Sequence, residues 1–210
     1  MVPPLVIGYH LVWTGYGWWL PNDPRGSMSS CIKCDLLADL GELHHGRKRV
    51  QPTSREICEF YEAAVPRLEF AQVSFTSQEI EQIALAFARE VEEQRYTCYA
   101  CAIMPDHIHL LIRKHKHEAE EMTRNLQRAS HLLLRESGRF DLEHPIWGGP
   151  GWKVFLDSPD DIRRTIRYVE QNPVKIGLPI QRWTFVKEYD GWPLHPGHSP
   201  NSPYAKRLRR

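Results

Sequence analysis

The chain has 210 residues, and its 27 Lys plus Arg against 26 Asp plus Glu give a formal net charge of +1, so any nucleic-acid binding must come from local basic patches. No apolar run approaches the roughly 18–20 residues that cross a bilayer, and the start lacks a signal-peptide pattern, so we expect a cytoplasmic protein with no membrane partner. Five cysteines, an odd number, argue against a closed disulfide framework, and the length excludes two large domains.

The first half of the chain predicts one strand, an insertion and one helix. Residues 5–14 are β-branched and aromatic, as in a buried strand, and the turn-rich segment GYGWWLPNDPRGS follows. Residues 27–75 lack periodicity and are interpreted as an irregular insertion with one or two short helices. Thr76 and Glu79 have capping-box spacing in front of helically spaced apolar residues, which predicts that a helix begins here.

The second half predicts further strands and helices in alternation. Strand-like runs occur at residues 97–103, 107–113 and 152–156, with a shorter one near 183–186. Helical spacing occurs from about residue 118 to 136. Because hairpin-length links join the strands, the pattern favours an α+β fold with an antiparallel sheet.

The last predicted helix has clear boundary signals. Ser158 is a cap and Pro159 takes the first helical position, whereas Pro173 should close the helix at Asn172. We therefore expect one domain over residues 1–190, followed by a basic, Pro-rich and irregular C-terminal tail at 191–210.

Two histidines begin the predicted strand HIHLLIR. Alternate residues of a strand share one face, so His107 and His109 point to the same side, where two imidazoles can hold one metal ion. The structural alternative is a pair of surface histidines on an edge strand. A second pattern of this kind, His115 and His117, has no apolar frame and is interpreted as a solvated loop.

A polar stripe follows the last helix. Arg164, Tyr168 and Asn172 recur every four residues, on a different side from the apolar stripe. Arg164 could hold a phosphate, and Asn172 could offer an amide oxygen to a metal. A tyrosine hydroxyl is a weak nucleophile unless a metal, a base or a cation assists it. The structural alternative is that Tyr168 lies at the edge of the core, beside ordinary surface residues of the helix, and has no catalytic role.

Two segments together carry a family resemblance. MPDHIHLLI with the downstream RYVEQNPVKIGL resembles the REP-associated tyrosine transposases, which are single-tyrosine HUH transposases. The opening GYHLVWTGYGWWLPNDPRGS is similar to the start of one branch of that family. The resemblance implies a compact ferredoxin-like α+β fold, in which helices pack on an antiparallel sheet that displays both histidines.

The resemblance also implies a reaction. His107 and His109 would bind a divalent metal, Mg²⁺ or Mn²⁺, with Asn172 as third ligand and Gln171 as its competitor. Tyr168 would cleave single-stranded DNA at a hairpin, forming a 5′-phosphotyrosine and a free 3′-OH. A second 3′-OH could reverse this step and join strands without ATP. Members act as monomers or as homodimers, and both states stay open here.

Basic and aromatic side chains are expected to contact the DNA. Phosphates would meet the basic residues Arg25, Arg164 and Arg167. Bases would stack on an aromatic loop that contains Trp13, Tyr16, Trp18 and Trp19.

Two rival functions and a zinc site are alternatives. A histidine-triad nucleotide hydrolase also alternates histidines on one strand, but Leu111 takes the third place here. A non-catalytic hairpin-binding repressor would keep the same residues without turnover. Cys31 and Cys34 have zinc-like spacing. Cys98 and Cys101 should face opposite sides of a strand, which argues against a site that joins both pairs.

Overall fold

Four strands form one antiparallel sheet in the computed structural model of the protein, which describes residues 6–32, 35–136 and 138–193. They are β1 (Gly8–Thr14), β2 (Cys98–Ile103), β3 (His107–Arg113) and β4 (Trp152–Leu156). Their order across the sheet is β2-β3-β1-β4, and every neighbouring pair is antiparallel. With helices in the connections from β1 to β2 and from β3 to β4, this is a ferredoxin-like α+β arrangement, so the predicted fold class is confirmed.

The helices cover the two faces of this sheet unequally. They are α1 (Asp35–Ala38), α2 (Ser54–Ala64), α3 (Ser77–Gln94), α4 (Ala119–Glu136) and α5 (Pro159–Lys175), with a 3₁₀ turn at Val65–Arg67. α3 and α4 pack on each other and build the main core with one face of the sheet. α5 packs on the opposite face, against β2 and β3. α5 leaves part of that face open, since Val154 of β4 is 49% exposed.

The alternation in β3 separates two cores as the sequence predicted. Ile108, Leu110 and Ile112 belong to the core beneath α3 and α4. Leu111 points the other way, into the smaller core beneath α5. The histidines that precede it therefore lie on the α5 side of the sheet.

α3 begins with the predicted capping box. The Thr76 hydroxyl accepts a hydrogen bond from the Glu79 N–H at 3.3 Å, and the Glu79 carboxylate accepts one from the Thr76 N–H at 2.8 Å. We expect Thr76→Ala to lower the free energy of unfolding by about 1 kcal/mol, because it removes the acceptor of the Glu79 backbone N–H at the helix start. Urea denaturation measures this loss. Thr76→Ser keeps the hydroxyl, and an equal loss in that variant would contradict the explanation.

Two boundaries differ from those predicted. α5 continues through Pro173 to Lys175 rather than ending at Asn172. Proline removes only its own N–H, and the turn after it still closes because the Ile176 N–H donates to the Pro173 carbonyl at 3.1 Å. The strand expected near residues 183–186 is a single parallel bridge, in which Val186 is opposite Cys98.

The prediction that Cys98 and Cys101 face opposite sides is wrong. A bulge between Cys98 and Ala100 shifts the register of β2, and both thiols enter the core under α3 and α4. Burial raises the pKa of Cys98 to about 12 and the pKa of Cys101 well above its ordinary value. Neutral thiols in an apolar core are unsuited to binding zinc. The site with Cys31 stays a prediction, since Cys34 lies outside the described residues.

Helices α1 and α2 lie within the predicted insertion. Phe60 and Ala64 of α2 pack with Leu20 and Leu37 in a small core of their own. The boundaries of the insertion and of the domain stay predictions, and most of the C-terminal tail lies outside the described residues. None of the described helices has the length and apolar character needed to span a membrane.

Candidate active site

β3 brings the two predicted histidines together on one face. The Nε2 atoms of His107 and His109 are 3.1 Å apart, with the two rings nearly perpendicular. His109 is only 6% exposed, whereas His107 is half-buried at the edge of an open groove. Strand alternation alone therefore predicted the pairing of these rings.

Each of these imidazoles has a further partner on its other nitrogen. The Asp106 carboxylate lies 2.7 Å from Nδ1 of His107 and accepts a hydrogen bond from it. Burial alone would raise the pKa of Asp106, but this hydrogen bond and the charge of His107 hold it below its ordinary value. On the far side, Nε2 of His10 lies 3.0 Å from Nδ1 of His109. The four side chains form one row of close polar contacts, from Asp106 through His107 and His109 to His10.

The sequence analysis missed His10. It lies on β1, and its contact with His109 depends on how β1 pairs with β3, where His10 is opposite Leu111 and Val12 is opposite His109. That register cannot be read from the sequence. The available signal was that His10 is a polar residue inside an otherwise apolar strand.

The buried histidines are neutral. The pKa of His109 is lowered to about 2, first by burial and then by the charges of His107, His10 and Lys175. Burial lowers the pKa of His10 to about 4. A neutral imidazole has one N–H and one lone pair. When His109 donates its Nδ1–H to His10 and His107 donates its Nδ1–H to Asp106, both Nε2 lone pairs are directed at the same place in the groove.

α5 brings Tyr168 over this histidine row. The centre of the Tyr168 ring is 5.5 Å from that of His109 and 5.8 Å from that of His10, with edge-to-face geometry. Tyr168 is 46% exposed and lines the groove. Nζ of Lys175 lies 4.4 Å from the ring centre. The pattern on the last helix and the pattern on β3 thus meet in space.

One turn further along α5, Asn172 lines the same groove. Its Nδ2 donates to the Tyr168 backbone carbonyl at 2.8 Å, which fixes the amide and leaves Oδ1 for another partner. Asn172 is 8% exposed, whereas Gln171 is exposed and is not among the residues that line the groove. This placement favours Asn172 over Gln171 as a donor toward the histidine pair.

The groove has a volume of about 490 Å³ and runs from the histidine row to the aromatic loop. Trp18, Trp19 and Arg25, three of the residues predicted to contact DNA, line it. Trp13 is only 1% exposed and Tyr16 packs against the main core, so the expectation that these two rings stack on bases is wrong. Trp13 lies on β1 and points to the face of the sheet that α3 and α4 cover, so it is buried.

The basic residues expected at DNA have different surroundings. Arg25 forms a bidentate pair with the buried Asp23, at 2.8 and 2.6 Å, and its guanidinium lies 3.9 Å above the Trp19 ring. Arg164 and Arg167 are exposed on α5 and do not line the groove. Arg164 pairs with Asp161. The structure therefore places Arg25 beside the groove and the two helix arginines outside it.

The second His-x-His pattern is ordered rather than solvated. His117 Nδ1 lies 2.9 Å from the Tyr96 hydroxyl, and the His115 ring packs on Tyr96 at 5.0 Å. These contacts lie away from the groove. The segment is a loop, as predicted, but its two histidines are half-buried against Tyr96 rather than fully solvated.

The donors in the groove fit a divalent cation. Ligands about 2.1 Å from an octahedral ion lie roughly 3 Å from each other, close to the 3.1 Å between the two Nε2 atoms. Across the described parts of the chain, no three His, Cys, Asp or Glu side chains are arranged to hold one ion. The side chains in the groove that could hold an ion are the imidazoles of His107 and His109 and the amide of Asn172, while His10 lies behind His109.

Comparisons with known proteins gave one curated relative of note. A protein of Haemophilus influenzae that bears the provisional name REP-associated tyrosine transposase is 23% identical over 135 residues, which are 60% of this chain and 72% of that protein. No family model matches the chain.

Two solved structures are similar at low scores. One is a REP-associated tyrosine transposase bound to a REP hairpin, with a TM-score of 0.44, 11% identity and coverage of 89% of this chain and 91% of the other. A second, from Deinococcus radiodurans and provisionally described as a transposase, has a TM-score of 0.37, 12% identity and coverage of 81% and 94%. The curated relative confirms what the motifs indicated: this chain resembles the REP-associated tyrosine transposases.

Proposed function

We propose that the protein is a metal-dependent endonuclease and strand transferase that acts on single-stranded DNA at a hairpin and forms a 5′-phosphotyrosine through Tyr168. The observation that carries the proposal is the placement of the Tyr168 ring 5.5 Å from His109 in a solvent-open groove. A boundary tyrosine with no role needs neither this contact nor a pair of converging imidazoles beneath it. Transposition, or a domesticated form of it, is the process this chemistry serves.

His107, His109 and Asn172 are the proposed ligands of Mg²⁺ or Mn²⁺. When bound, the ion would supply Lewis-acid polarisation of a phosphate oxygen, which lowers the cost of the charge that develops at phosphorus. Asp106 and His10 orient the two imidazoles from behind, as carboxylates and other acceptors do at metal-binding histidines.

The hydroxyl of Tyr168 is the proposed nucleophile. Tyr168 Oη attacks phosphorus and forms a new P–O bond, while the P–O3′ bond breaks. The leaving 3′ oxygen takes up a proton and the phenol loses one, so the step is balanced. The ammonium group of Lys175, 4.4 Å from the ring centre, stabilises negative charge that develops on the phenol oxygen. A second 3′-OH reverses the step and releases Tyr168.

The DNA would lie along the groove, with its backbone exposed toward the basic residues. Arg25 and the rings of Trp18 and Trp19 line the path beside the reactive centre, whereas Arg164 and Arg167 would meet phosphates outside it. Hairpin DNA is the proposed partner. Whether one copy or a homodimer acts stays a prediction.

The direct test incubates the protein with hairpin-bearing single-stranded DNA taken from beside its own gene, in Mn²⁺ and in EDTA. A covalent protein–DNA adduct in Mn²⁺ alone supports the proposal. Hairpin binding without any adduct would favour the repressor, and nucleotide hydrolysis independent of Tyr168 would favour the histidine-triad alternative. The latter has no third histidine on β3, where Leu111 is fully buried under α5.

The choice of third ligand gives a separate prediction. We expect Asn172→Ala to weaken Mn²⁺ binding about 10- to 100-fold, because it removes the oxygen donor nearest the histidine pair. Gln171→Ala is the matched control on the same helix turn and should leave Mn²⁺ affinity unchanged. Isothermal titration calorimetry measures both. The reverse ranking of the two variants would assign the ligand to Gln171.

His10 gives another prediction, because it holds the far nitrogen of His109. His10→Ala should weaken Mn²⁺ binding about 10-fold or more, as loss of an orienting partner does at other metal-binding histidines. His10→Gln retains an acceptor and a donor near His109 and should recover part of the affinity. A loss of thermal stability with unchanged Mn²⁺ affinity would instead make His10 a purely structural residue.

A further inference from the structure

One face of the sheet is only partly covered by α5: Leu156 at the end of β4 is buried with Ile162, but the residues of β4 before it are not. Beneath α5, residues such as Leu111 are fully buried. On the β1–β4 half of the same face, Val12 and Trp152 are half-buried and Val154 is 49% exposed. All three line the groove that contains Tyr168. Apolar side chains left uncovered beside a reactive centre mark a surface that a ligand covers.

Trp152 meets Trp19 at this uncovered floor. Their ring centres are 5.8 Å apart and their planes are at 67°. Trp19 is fixed by a hydrogen bond from Nε1 to the Gly26 carbonyl at 2.7 Å and by the Arg25 guanidinium above its ring. Its backbone φ of +53° lies in the left-handed region, which is a strained conformation for a bulky residue. Trp19 is thus held in one orientation, and Trp152 packs against it.

The strand register relates this pair to the reactive centre. His109, Val12 and Trp152 are directly opposite one another on β3, β1 and β4. Two strand spacings, about 10 Å, therefore separate His109 from Trp152. When a phosphate lies between His109 and Tyr168, the base of an adjoining nucleotide can reach Trp152.

The charges around this end of the groove suit a nucleotide. Arg25 and Arg47 both line it, and the carboxylate that pairs with Arg25, Asp23, is buried beneath. Among the described residues that line the groove, Asp106 is the one carboxylate, and it is hydrogen-bonded to His107. Flat aromatic surfaces beside guanidinium groups match a base with its phosphate.

We propose that Trp152 and Trp19 form a stacking subsite for the nucleobase beside the phosphate that Tyr168 attacks. The proposal rests on the proposed function, and it adds a residue, Trp152, to which the sequence motifs assign no role. Stacking on this subsite would hold the scissile phosphate against the histidine pair.

The test combines changes in the DNA with changes in the protein. Fluorescence anisotropy in EDTA measures binding of the same hairpin-bearing strand, with an abasic nucleotide placed in turn at each position around the cleavage point. In the wild type, we expect one position beside that point to weaken binding roughly 5- to 100-fold. In Trp152→Leu, which keeps apolar volume but removes the large ring, the same abasic change should cost less than about 2-fold.

Phe155→Leu is the matched control. Phe155 lies on the same strand, is 59% exposed and points to the opposite face, where it contacts Tyr9. This variant should retain the wild-type abasic profile. Trp152→Phe keeps an aromatic ring and should retain most of the abasic effect seen in the wild type. This variant can be measured even when Trp152→Leu folds poorly.

The proposal is overturned if the abasic effects are the same in wild type and Trp152→Leu at every position, or if no position is sensitive. Failure of the proposed function gives a different result. In that case no Tyr168-dependent adduct forms in Mn²⁺, even where the effect of the abasic nucleotide on binding depends on Trp152.

Discussion

Replacing Tyr168 with phenylalanine is expected to abolish the covalent adduct with hairpin DNA, lowering its rate by roughly 10⁴-fold or more. The variant loses one oxygen atom, which is the atom proposed to form the bond to phosphorus. The ring stays, and with it the edge contacts to His109 and His10. Denaturing gel electrophoresis of labelled DNA after incubation with Mn²⁺ measures the adduct.

The same variant should bind the hairpin in EDTA nearly as well as the wild type, because an exposed phenol oxygen adds little to affinity. Tyr189→Phe is the matched control, since the Tyr189 hydroxyl donates to the Trp192 carbonyl at 2.6 Å, away from the groove. It should form the adduct normally. An adduct that persists in Tyr168→Phe would remove Tyr168 as nucleophile and with it the proposed reaction.

The second large effect is expected from the histidine pair. His109→Gln should weaken Mn²⁺ binding by at least about 100-fold and eliminate the adduct, because it removes one of two converging nitrogens. His107→Gln should do the same. Glutamine is chosen because His109 is buried, and a smaller residue would leave a cavity beside His10.

His115→Gln provides the control for this experiment. It alters the other His-x-His pattern, whose rings pack on Tyr96 away from the groove. We expect unchanged Mn²⁺ affinity and unchanged adduct formation. Calorimetric titration with Mn²⁺ reports binding without reference to activity, so equal affinities in wild type and His109→Gln would locate the metal elsewhere or exclude it.

Local rules predicted much of this fold. The capping box at Thr76 and the alternation of His107 with His109 depend only on residues close in sequence, and both are present. One local rule failed, since α5 continues through Pro173, and two other failures depend on long-range pairing. The bulge that turns Cys98 inward is set by β3, and the contact of His10 with His109 is set by the register between β1 and β3.

In the candidate site too, local patterns predicted some features, and others depend on tertiary packing. Periodicity indicated that Tyr168 and Asn172 share one side of α5, and it could not indicate that this side faces the histidines. The exposure of Trp152 depends on where α5 stops covering the sheet, which no local pattern encodes. Aromatic character alone did not distinguish buried Trp13 from the groove-lining Trp18.

Asn172 donates a hydrogen bond to the backbone carbonyl of Tyr168. The orientation of the Asn172 side chain therefore depends on the helical turn that carries Tyr168. The Asn172 amide keeps this orientation only while that helical turn keeps its pitch. Fraying of α5 from its carboxyl end would therefore release the oxygen donor and loosen the phenol in a single event, with the sheet and both imidazoles undisturbed. On the proposed function, such local fraying would inactivate the protein without unfolding it.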